Sequence, residues 1–116
     1  MIDFTLPKKL YVMPGRSAVT QKFDSMTLLI QGSQAFHPDE TAAYLFCNGE
    51  RNVIRIIYWD TQWFLDLRYP IHQGRLRWPS GTPKFTKISL MQLERLLRGD
   101  TLNPSIQSSS LVLFHD

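Results

Sequence analysis

The sequence predicts one α+β domain, in which an antiparallel β-sheet of four to six strands carries two helices packed on one face. The first observation is a stretch from Val53 to Pro79 that contains all three tryptophans and alternates apolar with polar residues. The second is a pair of segments with helical periodicity, one on each side of that stretch. The third is the length of 116 residues, which suffices for one hydrophobic core.

The stretch from Val53 to Pro79 is interpreted as a three-stranded antiparallel meander. Strands are predicted at Val53–Trp59, Trp63–Tyr69 and Arg75–Trp78, each bounded by turn residues. Residues 60–62 form the first turn. Residues 70–74 form the second, because they contain a proline, which lacks a ladder donor, and a glycine, which tolerates positive φ.

Period-two alternation assigns the side chains of the last two predicted strands to two faces. One face is expected to point into the core and carries Trp63, Leu65, Leu67, Tyr69, Leu76 and Trp78. The other face is largely polar and carries Phe64, Asp66, Arg68, Arg75 and Arg77. Such a division is typical of an antiparallel sheet with one face in water.

Three elements are predicted before the meander. They are a strand at Lys9–Met13, a helix at Ala18–Gln31 and a strand at Tyr44–Asn48. Ser17 is expected to cap the helix by accepting a hydrogen bond from an early backbone N–H group. The Asn-Gly pair at residues 48–49 indicates a hairpin turn.

Two elements are predicted after the meander. A short strand at Lys84–Ile88 precedes a helix at Leu90–Arg98, where Ser89 and Gln92 have the spacing of a capping box. The α+β domain is expected to comprise residues 1–99. Residues 100–116 are interpreted as a linker-like tail with a short apolar patch at residues 111–114.

Positive charge is concentrated in the second half of the chain. The net charge is +3, but residues 61–99 carry seven Lys/Arg against two Asp/Glu, whereas residues 1–60 carry six of each. Clustered positive charge attracts phosphate backbones or acidic protein surfaces, and a solvated surface is the alternative. The planar guanidinium of arginine suits phosphate, and the candidate nucleic-acid contacts are Arg68, Arg75, Arg77, Lys84 and Lys87.

The three tryptophans could stack on bases, although burial in the core is favoured.

The patterns of enzymes and metal sites are weak in this chain. Asp24, Asp60 and Glu94 follow the order of two-metal carboxylates but fall on separate predicted elements. The three histidines lack ligand spacing, and Cys47 is predicted to be a small buried strand residue. The chain is therefore predicted to be non-enzymatic, without metal or other cofactor.

The sequence has no apolar window near the ~18 residues of a membrane span and no leader pattern, so a cytoplasmic location is expected.

Several segments resemble, in order and spacing, the TnpB-type accessory protein of the IS-sixty-six group of bacterial insertion sequences. The resemblance covers about Lys9 to Gly99. Phe23-Asp24 matches a Phe-Asp pair inside the first helix of that family. The other matching segments are Tyr44–Phe46, Arg51, Ile54–Asp60, Gly74–Pro79 and Leu90–Gly99.

The resemblance implies a small cytoplasmic accessory protein, encoded beside a separate DDE transposase and without a catalytic role of its own. Two basic segments of the family are altered here. Thr20-Gln21-Lys22 stands where members have Arg-Lys-Gly, and Tyr69-Pro70 stands where members have Lys-Arg. Both changes remove positive charge from a nucleic-acid site inherited from the family.

Two functions follow from these observations. In the first, the basic residues bind duplex DNA, with weak sequence specificity and strong salt dependence. In the second, the chain is a protein-interaction module that docks a transposase subunit or a second copy of itself, for which an exposed strand edge offers a route.

Overall fold

Five strands form one sheet in the order β4-β3-β2-β1-β5. The computed structural model describes residues 7–15, 21–71 and 76–98. Its elements are β1 (Lys9–Val12), α1 (Phe23–Gln31), β2 (Ala42–Cys47), β3 (Val53–Trp59), β4 (Phe64–Pro70), β5 (Thr86–Ile88) and α2 (Leu90–Leu97). The α+β class and the expected number of strands are confirmed. The predicted boundary at residue 99 and the predicted tail lie outside the described residues.

The sheet is mixed, whereas a fully antiparallel sheet was expected. β1 pairs with β2 in parallel, from Lys9 opposite Ala42 to Val12 opposite Leu45. The β1–β5, β2–β3 and β3–β4 pairs are antiparallel. The parallel pair has a topological cause, because α1 lies between β1 and β2 in the chain and two strands joined by a crossover helix run in the same direction.

The two helices lie on opposite faces of the sheet, so the prediction that they share one face is wrong. The α1 face is formed by Tyr11, Met13, Ala42, Tyr44, Phe46 and Ile57, against which Met26 and Ile30 of α1 pack. The α2 face is formed by Leu10, Val12, Ala43, Leu45, Cys47, Ile54, Tyr58 and Ile88, against which Leu93 and Leu96 of α2 pack. The domain therefore has three layers.

The central strand β2 explains why both faces need a cover. All six of its residues are buried, and they form the uninterrupted apolar run AAYLFC. A strand with two covered faces reads as a continuous apolar segment, whereas a strand with one wet face alternates. The Tyr44 hydroxyl on the α1 face donates to the Ala35 carbonyl, 3.1 Å away, and burial raises the pKa of this phenol.

The meander is confirmed in its first two strands and not in its third. β3 has the predicted bounds, and β4 begins one residue later than predicted, at Phe64. Trp63 was expected in the core but is 67% exposed. It belongs to the turn, where the Asp60 carboxylate accepts hydrogen bonds from the backbone N–H groups of Gln62 and Trp63 at 2.8 and 2.7 Å.

Residues 76–78 belong to no strand, and residues 72–75 lie outside the described ranges. Leu76 and Trp78 are nevertheless buried on the α2 face, as the alternation predicted. The indole N–H of Trp78 donates to the Met13 carbonyl at 2.8 Å. This hydrogen bond attaches the segment to the end of β1 without strand pairing.

Two helix ends agree with the sequence, the end of α1 and the start of α2. Gly32 ends α1, and the capping box of Ser89 and Gln92 begins α2, with donor–acceptor distances of 2.7 and 3.1 Å. The start of α1 is different. Lys22 occupies the N-cap position there, and the predicted cap, Ser17, lies outside the described residues.

One charged side chain is buried beneath the α1 face. Arg55 of β3 is 1% exposed, and its guanidinium donates to both carboxylate oxygens of Asp66 on β4, at 2.9 and 2.8 Å. It also donates to the Gln21 carbonyl just before α1. Because burying an unpaired guanidinium is costly, Asp66 is required for β3 and β4 to keep this arginine in the core.

The change Asp66→Asn tests the importance of this pair. We expect the free energy of unfolding to fall by about 3 kcal/mol, because the buried Arg55 would lose the negative charge of the carboxylate that its Nε and Nη2 contact. Urea denaturation measures the change. Glu94→Gln, the corresponding change on an exposed position of α2, should alter stability by less than about 0.5 kcal/mol. A loss below about 1 kcal/mol for Asp66→Asn would contradict this role.

Candidate nucleic-acid interface

Positive charge gathers at one end of the sheet. β1, β2 and β4 finish at this end, and β3 and β5 begin there, according to the strand register. Among the described residues, the connecting segments at this end include the exposed basic residues Arg51, Arg77 and Lys84 and the acid Glu50. We call this the basic end, and its basic residues are Arg51, Arg77 and Lys84.

The opposite end of the sheet has a different charge balance. Asp39, Glu40 and Asp60 lie in the connections there, with Lys8 and Lys9. The Glu40 carboxylate forms ion pairs with both lysines, at 3.6 Å from Lys8 Nζ and 2.7 Å from Lys9 Nζ. The hydrogen bond from Lys9 lowers the pKa of Glu40 and raises that of Lys9. The charges at this end are thus largely compensated locally.

The structure distributes the five predicted contacts over the molecule. Arg77 and Lys84 lie at the basic end. Arg68 and Lys87 both belong to the α1 face, but they lie on β4 and β5, the two outer strands, which are separated by four strand spacings or about 19 Å. Arg75 lies outside the described residues. The expected single polar sheet face is not found, because each face of the sheet carries a helix.

A cleft of about 240 Å³ opens at the basic end. Its lining residues are Gly15, Asn48, Arg51, Trp78, Pro79 and Ser80. Arg51 is the one charged residue in this described lining, and the hydroxyl of Ser80 adds a group that can donate a hydrogen bond. Trp78 and Pro79 are buried and form an apolar floor. The guanidinium of Arg51 and the hydroxyl of Ser80 are donor groups that suit a small anionic group such as a phosphate.

The backbone around Arg51 is held by hydrogen bonds on both sides. Its N–H donates to the Asn48 carbonyl at 3.1 Å, and its carbonyl accepts from the N–H of Leu76 at 2.7 Å. The side-chain oxygen of Asn48 accepts from the N–H groups of Asn52 and Val53, at 2.9 and 3.0 Å. These hydrogen bonds therefore fix the position from which the Arg51 side chain extends.

Arg51 has an unusual backbone conformation, with φ of 60°. This left-handed region favours Gly or Asn, and it costs other residues about 1 kcal/mol or more. The Asn-Gly signal at residues 48–49 predicted a turn here but did not single out Arg51 as a site residue. Only the dihedral angle and the cleft identify it.

Cys47 lies immediately before this loop, at the buried end of β2. Burial raises the pKa of its thiol to about 11, against a smaller opposing effect of the Arg51 guanidinium. The thiol is therefore protonated at neutral pH, and a thiol is a much weaker nucleophile than a thiolate. This agrees with its interpretation as a small buried residue.

The carboxylates that resembled a two-metal set are not brought together. Asp24 lies on α1 and Glu94 on α2, so the sheet separates them. Asp60 lies in the turn between β3 and β4. Within residues 7–15, 21–71 and 76–98, no group of three or more His, Cys, Asp or Glu side chains could hold a metal ion.

The three tryptophans do not form one stacking surface. Trp78 is buried at the basic end, whereas Trp59 and Trp63 lie near the opposite end of the sheet. Trp59 packs against Phe36 and Phe64, with ring centroids 5.3 and 4.6 Å away, and its N–H donates to the Pro38 carbonyl. Core packing accounts for Trp59 and Trp78, and Trp63 remains exposed.

A family model described as IS66 Orf2 like protein matches residues 8–106 of the chain. The chain belongs to the IS66 Orf2-like family. This family is associated with transposition, which confirms the resemblance found in the sequence and extends it past Gly99. No curated protein and no solved structure matches the chain. In the described ranges, neither helix has the length and apolar character needed to cross a membrane.

Some of the residues that carry the family resemblance line the cleft. Arg51, Trp78 and Pro79 belong to the segments that carry the resemblance, and all three line the cleft. Arg51 precedes Trp78 by 27 positions in the sequence, yet both residues line the same cleft at the basic end. Two of the segments that carry the resemblance thus meet at this cleft.

The change Arg51→Gly tests whether this loop stores backbone strain. We expect the free energy of unfolding to rise by about 0.5–1 kcal/mol, because glycine adopts positive φ without steric cost. Glu50→Gly is the matched control in urea denaturation. It should lower stability by about 0.5–1 kcal/mol, since glycine there only adds freedom to the unfolded chain. If both variants were equally destabilised, Arg51 would carry no strain.

Proposed function

We propose that this IS66 Orf2-like protein is a non-catalytic accessory factor in DNA transposition that binds phosphates of duplex DNA through its basic end. Arg51 is the central contact, with Arg77 and Lys84 beside it. The proposal places the protein in the cytoplasm. It keeps two of the contacts predicted from the sequence, Arg77 and Lys84, and adds Arg51.

The conformation of Arg51 is the observation that carries the proposal. A glycine or asparagine at this position would relieve the positive φ, yet the chain has an arginine that lines a cleft. Strained residues are concentrated at functional sites, where the function of the side chain outweighs its conformational cost. A cation required for binding explains both the residue type and its position.

Phosphate is the anion that best fits the arrangement. The guanidinium offers several N–H donors in one plane and can bind two phosphate oxygens at once. The basic residues of the neighbouring segments extend the positive field beyond the cleft, as contact with successive backbone phosphates requires. Such contacts position DNA without reading its sequence, so the expected binding is weakly specific.

The alternative is a protein-interaction module in which the basic end docks an acidic surface of a transposase subunit. A second groove favours this reading. It has a volume of about 300 Å³, is lined mainly by apolar residues including Met13, Leu29 and Phe85, and has Lys84 at its margin. An apolar groove beside a cation suits a protein chain better than DNA.

Fluorescence anisotropy with a labelled duplex at several salt concentrations tests the proposal. The variants are Arg51→Asn, which keeps a residue tolerant of positive φ, and Arg51→Asn combined with Arg77→Gln. Affinity should fall with each variant, by the same factor for duplexes of unrelated sequence. The slope of log K against log salt should become shallower by roughly one for each contact removed.

Lys8→Gln is the matched control, because it removes one positive charge at the opposite end of the sheet. It should leave the affinity and the salt slope close to those of the wild type. An equal loss of DNA affinity in Lys8→Gln and Arg51→Asn would mean that the affinity depends only on net charge. If the wild type bound no duplex at low salt, DNA binding would be rejected in favour of the interaction module.

A further inference from the structure

β4 is an outer strand of the sheet, and its pairing with β3 determines which backbone groups face outward. The N–H of Asp60 donates to the Trp63 carbonyl at 3.1 Å, and that of Ile71 donates to the Asn52 carbonyl at 2.7 Å. Hydrogen-bonded pairs alternate with non-bonded pairs along an antiparallel ladder. Leu65, Leu67 and Tyr69 therefore bond to β3, while Phe64, Asp66, Arg68 and Pro70 direct their backbone groups outward. We call this side of β4 the free edge, because no strand among the described residues pairs with it.

The side chains of β4 have different characters on its two faces. On the α1 face, Asp66 and Arg68 are neighbours two residues apart. On the α2 face, Leu65 and Leu67 are half-buried, and Tyr69 is 55% exposed. A long outer strand with exposed apolar side chains favours pairing with another strand.

Arg68 lacks a favourable cross-strand neighbour within the sheet. Its partner in the register is Arg55, whose charge is already paired with Asp66. Like charges directly opposite each other on a sheet are destabilising. A carboxylate supplied from beyond the free edge would compensate Arg68, and Asp66 retains acceptor positions because a carboxylate accepts about four hydrogen bonds.

A second copy of the chain supplies that carboxylate in one register. Two β4 strands can form hydrogen bonds only if residues whose backbone groups face the free edge lie opposite each other. In an antiparallel pair with two-fold symmetry, one residue lies opposite its own copy at the centre. Asp66, Leu67 and Arg68 are the central positions compared. Centring on Asp66 places two carboxylates opposite each other, and centring on Arg68 places two guanidinium groups opposite each other. Centring on Leu67 places Asp66 of each copy opposite Arg68 of the other, and Leu65 opposite Tyr69.

We propose that the chain forms a symmetric dimer through antiparallel pairing of β4 with β4 of a second copy, centred on Leu67. The two five-stranded sheets join into one continuous sheet. Backbone hydrogen bonds form at the Asp66–Arg68 pairs and from Phe64 N–H to the carbonyl of Pro70. Pro70 lacks an N–H group, so it limits the pairing to this length.

The dimer is independent of the proposed DNA contacts. Arg51 and Arg77 do not belong to β4, so their variants leave the edge unchanged. Failure of DNA binding would leave the dimer intact, and failure of dimerisation would leave the basic end intact. The two proposals are therefore tested by different measurements on different residues.

Sedimentation equilibrium on the full chain gives the first test. The wild type should have the mass of two chains. Arg68→Glu should have the mass of one chain, because the new carboxylate would lie opposite Asp66 of the other copy. Arg68→Lys keeps the charge and should remain a dimer. Circular dichroism confirms that each variant is folded. A one-chain wild type, or a dimer unaffected by Arg68→Glu, overturns the proposal.

Oxidative cross-linking tests the register. In the proposed dimer Leu67 lies opposite its own copy in a non-hydrogen-bonded pair, where Cα atoms are about 4.5 Å apart and a disulfide can form. Leu67→Cys should therefore cross-link into a two-chain band on a non-reducing gel. Leu65→Cys is the control. Residue 65 lies opposite residue 69 of the other copy, so the two copies of residue 65 are displaced by four residues, about 13 Å, along the strands. Equal cross-linking of both variants overturns the register.

Discussion

The structure depends on the burial of β2 on both of its faces. Six consecutive buried residues leave no face of this strand for water, so each side of the sheet requires a covering layer. α1 covers one side as the crossover between β1 and β2, which makes that pair parallel. α2 and the segment through Leu76 and Trp78 cover the other. The helix positions and the mixed sheet thus follow from one hydrophobic constraint.

This constraint also determines where the molecule can bind a partner. With both faces covered, the broad flat face that a basic sheet surface requires is not available in the described part of the chain. What the fold leaves exposed are the ends of the strands and the edges of the sheet. The basic end collects Arg51, Arg77 and Lys84, whereas the β4 edge presents Asp66 and Arg68. The proposed DNA binding and the proposed self-association therefore use separate surfaces.

Local patterns in the sequence predicted the elements better than their arrangement. β3 and the capping box of α2 depend on neighbouring residues, and both were predicted with their observed positions. Trp63 was misassigned because period-two alternation does not show where a strand begins, and the Asp60 side chain ends the pattern there. The opposite placement of the helices depends on contacts distant in sequence. The continuous apolar run of β2 was the one local sign of two covered faces. Arg51 could not be identified as a site residue, because its dihedral angle and the cleft exist only in the folded chain.

The most direct test of this account is a map of backbone amide shifts on adding a short duplex to the isotope-labelled protein. We predict that the perturbed amides cluster at residues 13–15, 48–52 and 76–84, which are adjacent at the basic end and distant in the sequence. The amides of residues 38–41 and 60–63, at the opposite end of the sheet, should stay unchanged. Perturbations confined to that opposite end or to the outer surface of α1 would contradict the assignment of the basic end as the DNA-binding surface.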